Sequence, residues 1–265
     1  GNQLNILLCE VPESIDWPAS VKFAGTLICT NTIANGITVN ADDVTIDMDG
    51  HALVGPGINS HHGIYQDSAL RNLRVHNGKI VQWRGAMQGS VTASGKNNQF
   101  DHIQAATNSY GIYTGSGARI SDCSAYNNTA DGIYGAAGST ISGCSARYNL
   151  ADGIYGGAGC TISDCTASRN TGDGIQTSSD SQLTGNTCDN NGYIGDGAGI
   201  HVTGSDNRID SNSVTDNDFG IDVDDSGNLI IRNSASGNLV NYSIEADNRY
   251  GPIIDITAGG TPLVS

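Results

Sequence analysis

Residues 111–131 read GIYTGSGARISDCSAYNNTAD, residues 132–152 read GIYGAAGSTISGCSARYNLAD, and residues 153–173 read GIYGGAGCTISDCTASRNTGD. A unit of about 21 residues beginning Gly-Ile therefore recurs without a break. Working outward, further units begin at Gly174, Gly199 and Gly220, the first carrying a four-residue insertion at Tyr193–Asp196. Looser copies begin at Gly36, Gly63 and Gly85, and Ser243-Ile244 closes the series as a degenerate copy. A fixed period of this kind marks a repeat architecture in which each unit buries its apolar face against its neighbours.

Stacked in register, the units give columns. Ile112, Ile133, Ile154, Ile175, Ile200 and Ile221 form one apolar column, and Ile120, Ile141, Ile162, Leu183, Ile209 and Ile230 a second. Ala125, Ala146, Ala167, Cys188, Val214 and Ala235 form a third, made of smaller residues. Three inward residues per turn predict three short strands, each paired in parallel with the next coil at ~4.8 Å. The expected fold is all-β: one right-handed, three-sided parallel β-helix of about ten coils. Between the columns recurs Asn108, Asn128, Asn149, Asn170, Asn191, Asn217 and Asn238. An Asn at every bend is expected to hydrogen-bond the turn backbone and to stack amide on amide, an asparagine ladder. Residues 1–35 are expected to cap one end, 36–246 to form the coils, and 247–265 to cap the other, because open coil ends expose sheet edges and core.

Composition agrees with a solenoid. Gly is 36 of 265 residues, Pro is 5, and hydrophobic residues are only 37%, as suits many turns around a narrow core. A net charge of −15 excludes nucleic acid as a partner, since phosphate contacts need Lys and Arg. No apolar run reaches the ~18–20 residues of a membrane span. The opening Gly-Asn-Gln carries no signal-peptide pattern, so any such segment is expected to have been removed or never present. The seven Cys show no metal-ligand spacing. Cys123, Cys144 and Cys165 share one column and are expected to be small buried thiols, while Cys9 and Cys29 are placed to pair in an oxidising compartment.

The segments GITVNADDVTIDMDGHALVG (36–55) and VHNGKIVQW (75–83), with the ISDC and LTGN coils that end in NRYGP (248–252), resemble the right-handed parallel β-helix proteins of the pectate-lyase-like superfamily. The resemblance covers the chain from about residue 30 and is specific for fold. It implies a polysaccharide partner and a secreted or cell-surface location, and its members include polysaccharide lyases, glycoside hydrolases, uronan epimerases and phage depolymerase spikes. The better-marked activities leave little trace here. The Asp-Pro-His element of mannuronan epimerases is absent, and of the polygalacturonase elements only Asp224-Asp225 is matched.

Outward positions flank each Gly-Ile. Before Gly stand His62, Arg84, Tyr110, Asp131, Asp152 and Asp173; after Ile stand Tyr65, Met87, Tyr113, Tyr134, Tyr155, Gln176, His201 and Asp222. The functional expectation is a groove in which Tyr65, Tyr110, Tyr134 and Tyr155 stack on sugar faces, and Asp152, Asp173, Gln176 and His201 bind hydroxyls. The plainer expectation is a solvated ladder of mutually supporting side chains. Arg147 and Arg169 are placed to offset repulsion along the Asp column. Residues 61–104 carry a local charge of +3. An enzyme acting on an acidic sugar must neutralise a carboxylate and abstract the neighbouring proton. That chemistry assigns His62, Arg84, Tyr113 and Asp131 as catalytic candidates. Asp222 and Asp224 lie in an acidic cluster with Asp216, Asp218 and Asp225, and are candidate Ca²⁺ ligands, with surface acidity the alternative. The function expected is an extracellular polysaccharide-binding β-helix protein, a lyase or glycoside hydrolase if it is catalytic. The alternative is a non-catalytic structural or surface module, favoured by long pure repeats with few insertions.

Overall fold

The computed structural model describes residues 4–6, 13–32, 34–58, 61–84, 89–192 and 197–251. Within them all regular structure is β, and no helix is long and apolar enough to cross a membrane. Eleven strands form one face, from Glu13–Ile15 to Val240–Ile244, and the other twenty form a second sheet folded into two walls. The two walls count as one sheet because Arg74–Arg84 and Gln99–Ala106 run unbroken through the bend between them. The solenoid thus has about eleven turns.

The columns follow from the pairing. Ile112 pairs with Ile133, then Ile154, Ile175, Ile200 and Ile221, all fully buried. The wall columns from Ile120 to Ile230 and from Ala125 to Ala235 are equally regular. On the eleven-stranded face each three-residue strand turns its first and third residues inward and its second outward, the period-two pleat of a strand. Corners are turned by single residues in the left-handed region. One column holds Thr107, Asn127, Tyr148, Arg169, Asn190, Asp216 and Gly237, and another holds His102, Asp122, Gly143, Asp164, Gly185, Ser211 and Arg232. Asn, Asp and Gly enter that region most easily, which is why they crowd the bends.

The asparagine ladder is present. Asn128 Nδ2 donates to Asn149 Oδ1 at 2.9 Å and to the Ala105 carbonyl, and the same bonds repeat at Asn149, Asn170 and Asn191. A second ladder runs through Asn186, Asn212 and Asn233, and a third through Asn207, Asn228 and Asn248. In the second column Cys123, Cys144 and Cys165 replace Asn in the earlier coils. These thiols are buried and free, and each donates to the carbonyl two residues before it. Cys29 is disulfide-bonded; its expected partner Cys9 lies outside the described residues.

Two sequence boundaries shift. Val91 occupies the place between Ile64 and Ile112, so this coil enters the face at Ser90-Val91, not at Gly85. Residues 85–88, including Met87, lie outside the described residues. Val81 pairs with Ala106 and Val91 with Ile112, so the chain between Val81 and Val91 is longer than in the next coil, and this added length shifts the Gly-Ile register. At the N-terminal end, Glu13–Ile15, Ser20–Phe23 and Leu27–Ile28 already pair in register with the following coil. Coil geometry therefore begins before the Gly-Ile signature does. At the other end Arg249–Tyr250 still pairs with Leu229–Ile230; residues 252–265 of the expected cap, like the Tyr193–Asp196 insertion, lie outside the described residues.

Candidate functional site

On each face strand the outward side chain between the two inward ones falls on one line. In register these are Tyr65, Thr92, Tyr113, Tyr134, Tyr155, Gln176, His201 and Asp222. Tyr113 and Tyr134 stack at 4.4 Å and 10°, and Tyr134 and Tyr155 at 4.7 Å and 5°. This is an offset of one coil per ring, so each inner ring face is covered by the next ring. Both faces of Tyr134, and one face each of Tyr113 and Tyr155, are thus taken up by neighbouring rings, while Tyr65 and Tyr110 lie outside the stack. Packing and the neighbouring phenols push Tyr134 up to about 12, so its hydroxyl stays protonated and can donate. Tyr110 meets Tyr113 edge-on at 5.6 Å, and Tyr65 lies 5.1 Å from the His62 ring.

Beside this row runs the Asp column. Asp131 Oδ1 accepts the Asp152 N–H at 3.1 Å, Asp152 Oδ1 accepts the Asp173 N–H at 2.8 Å, and Asp173 Oδ1 accepts the Ala198 N–H at 2.6 Å. Each carboxylate thus ties its coil to the next. Arg147 and Arg169 do not answer these charges. Arg147 lies 5.6 Å over the Tyr126 ring and Arg169 5.7 Å over Tyr148, whose hydroxyl Arg169 Nη1 also contacts at 3.1 Å. Burial, with Asp173 nearby, raises Asp152 to about 7, and burial raises Asp131 as well. Asp152 is therefore a half-buried acid poised near neutrality.

The two lines meet at His201. Its Nδ1 lies 2.8 Å from Asp173 Oδ2, and its Nε2 lies 3.0 Å from Asp224 Oδ2. Gln176 Nε2 donates to the same Asp173 oxygen at 3.3 Å. Bonding to Asp173, opposed by burial and helped by Asp224, raises His201 to about 9. Asp222, opposite His201 in the next strand, completes a group whose potential ligand atoms lie within 4.8 Å of one another. Both candidate Ca²⁺ ligands are thus brought together with a histidine. The link from Asp173 through His201 to Asp224 joins residues 28 and 23 apart, and nothing in the sequence grid signals it beyond their shared columns.

The early-coil cluster does not assemble as expected. Arg84 ends a wall strand opposite Ile58, and its Nε donates to the Thr107 carbonyl, so it is not in the His62–Tyr110 column. The register shift at residue 91 is the cause. His62 is pulled down to about 4 by burial and His61, and its Nδ1 bonds Thr92 Oγ1 at 2.7 Å, so it is neutral at pH 7. Two of the five Lys and Arg residues of segment 61–104 are paired on the walls, Arg71 by Asp42 and Arg74 by Asp101. Of the catalytic candidates, His62, Tyr113 and Asp131 remain on or beside the face, and Arg84 does not.

A family model described as a right-handed beta helix region matches residues 85–240. No curated protein matches the chain in sequence. Among solved structures, the Dettilon tailspike protein gp208 superposes with a TM-score of 0.58 at 14% identity, covering 94% of this chain and 61% of its own. This chain therefore spans less than two thirds of that tailspike. The A-module of the mannuronan C-5 epimerase AlgE4 of Azotobacter vinelandii gives 0.57 at 10% identity, covering 94% of this chain and 88% of the module. At these identities the likeness is one of fold.

Proposed function

The chain belongs to the right-handed β-helix family, and from that premise we propose that it is a secreted or cell-surface protein that binds polysaccharide along its eleven-stranded face. The observation that carries this reading is the unbroken polar row Tyr113, Tyr134, Tyr155, Gln176, His201 and Asp222, repeated once per coil. A glycan chain laid along the helix axis meets a hydroxyl, amide or imidazole at each ~4.8 Å step. The mannuronan epimerase module shares the fold and is named for a polysaccharide, but this chain lacks the Asp-Pro-His element, so epimerisation is not proposed. The disulfide at Cys29 supports an oxidising compartment. Asp152, protonated up to about pH 7, is the group suited to donate a proton to a glycosidic oxygen.

A second reading, a non-catalytic surface module, is favoured by the self-stacking of the tyrosines, which needs no ligand to explain it. A glycan array, followed by assay of the hits for new reducing ends and unsaturated sugars, separates the two. We expect at least one glycan hit, weakened about tenfold in Tyr155→Phe, Gln176→Ala or both, the loss of one or two hydrogen bonds. An array without hits removes the polysaccharide reading. Cleavage that survives Asp152→Asn moves the proton donor elsewhere.

A further inference from the structure

We propose that His201, Asp222 and Asp224 form a site for one divalent transition-metal ion of the Zn²⁺ class, with Asp173 as the positioning residue for the histidine. The expected hard-ion site at Asp222 and Asp224 changes character once the imidazole is placed among the ligands. Calcium takes six to eight oxygens, whereas this group offers two carboxylates and one ring nitrogen, a donor set that suits zinc.

Three features of the geometry support the assignment. His201 Nε2 and Asp224 Oδ2 are 3.0 Å apart. Two ligands on one zinc at ~2.0–2.2 Å stand about 2.8–3.1 Å apart at a right angle in an octahedral ion and about 3.3–3.6 Å apart in a tetrahedral one. The existing pair has the octahedral spacing and reaches the tetrahedral one by opening a few tenths of an ångström, and Asp222 lies on the adjacent strand within reach. The other ring nitrogen is held by a fixed carboxylate: Asp173 is buried, its Oδ1 is bound by the Ala198 N–H, and its Oδ2 faces His201 Nδ1. A carboxylate behind a histidine selects the tautomer that leaves Nε2 free to coordinate, the usual support of a metal-binding imidazole. Finally, among the described residues no Lys or Arg forms an ion pair with Asp222 or Asp224, whose one ionic contact is His201 to Asp224. Among the described residues the His201 ring is the sole cation that answers the negative charge gathered here. Three protein ligands leave a coordination position open at the end of the polar row.

The inference does not rest on the glycan reading, and the measurement uses the ion alone. The full chain, stripped with a chelator, is titrated calorimetrically with ZnCl₂ and separately with CaCl₂. We expect one Zn²⁺ per chain, bound at least a hundredfold tighter than Ca²⁺. His201→Ala and Asp222→Asn should each weaken it more than tenfold, and Asp173→Asn by 10–100-fold, as it acts only through the histidine. Asp222 is an outward side chain, so Asp222→Asn decides the matter if either substitution nearer the core fails to fold. No Zn²⁺ binding, tighter binding of Ca²⁺, or Zn²⁺ binding unchanged in Asp222→Asn would overturn the proposal. The first and last outcomes would leave Asp173, His201 and Asp224 as a purely internal ion triad.

Discussion

At Asn170 two amides of the preceding coil converge on one oxygen: the Asn149 N–H and Asn149 Nδ2 both donate to Asn170 Oδ1, at 3.1 and 2.9 Å. Its own Nδ2 meanwhile satisfies the Ala146 carbonyl and Asn191 Oδ1. Removing such a residue strands buried donors and acceptors on both neighbours, so Asn170→Ala should cost about 3 kcal/mol, read from the urea unfolding midpoint. Asp152 works in the opposite direction. Its carboxyl titrates near 3.8 when unfolded and at about 7 when folded. The folded state holds the proton longer, so this group's contribution is most favourable below about pH 4. It declines as pH rises from 4 to 7 and is level above. Asp152→Asn keeps the acceptor for the Asp173 N–H and abolishes the titration. The variant should be more stable than the parent by roughly 1–3 kcal/mol at pH 8 and nearly equal to it at pH 4, by thermal melting at both values.

At the scale of the element, the Gly of each Gly-Ile pair and the ladder Asn are one device. A Cβ on Gly153 would stand 2.5 Å from Asn170 Nδ2 and 2.6 Å from the Gly174 carbonyl oxygen. Glycine is required there by closeness to the stacked amide, not by backbone angle, which is why the two residues recur with the same period. Gly153→Ala should therefore destabilise by about 2–3 kcal/mol, as overpacking does. A melting temperature unchanged from the parent would show that the ladder can shift to make room. The tyrosine stack is a second such element. Because its inner faces are filled by other rings, it stiffens the face and repeats a hydroxyl once per coil.

For the whole molecule, stability is passed from coil to coil, and each coil contacts chiefly its neighbours. The ends then decide solubility. Residues 13–28 supply strands that cover the edges of Ile37–Val39, Thr45–Asp47 and the Leu53-Val54 segment, and Val21, Phe23 and Leu27 close over the core. Deleting residues 1–30 should expose three parallel edges and remove the disulfide at Cys29, giving aggregation visible by light scattering. A soluble, monomeric truncation with the parent's melting temperature would refute this.

Repetition made most of the fold legible. A 21-residue period with Ile, Ile and Ala at fixed offsets has few ways to bury its apolar residues, and the same offsets name the outward row. Legibility failed where the period failed. Between Val81 and Val91 the chain is longer than in the next coil, and the reading that put Arg84 beside His62 fails with it. Distance and orientation lay beyond the sequence altogether. It set Tyr113, Tyr134 and Tyr155 in a column, and only the coil spacing decided that they face one another and not a ligand. It likewise listed Asp173, His201, Asp222 and Asp224 as neighbours in a grid. That the ring of His201 bridges two carboxylates depends on side-chain rotation across three coils, and a linear pattern carries no information about that angle.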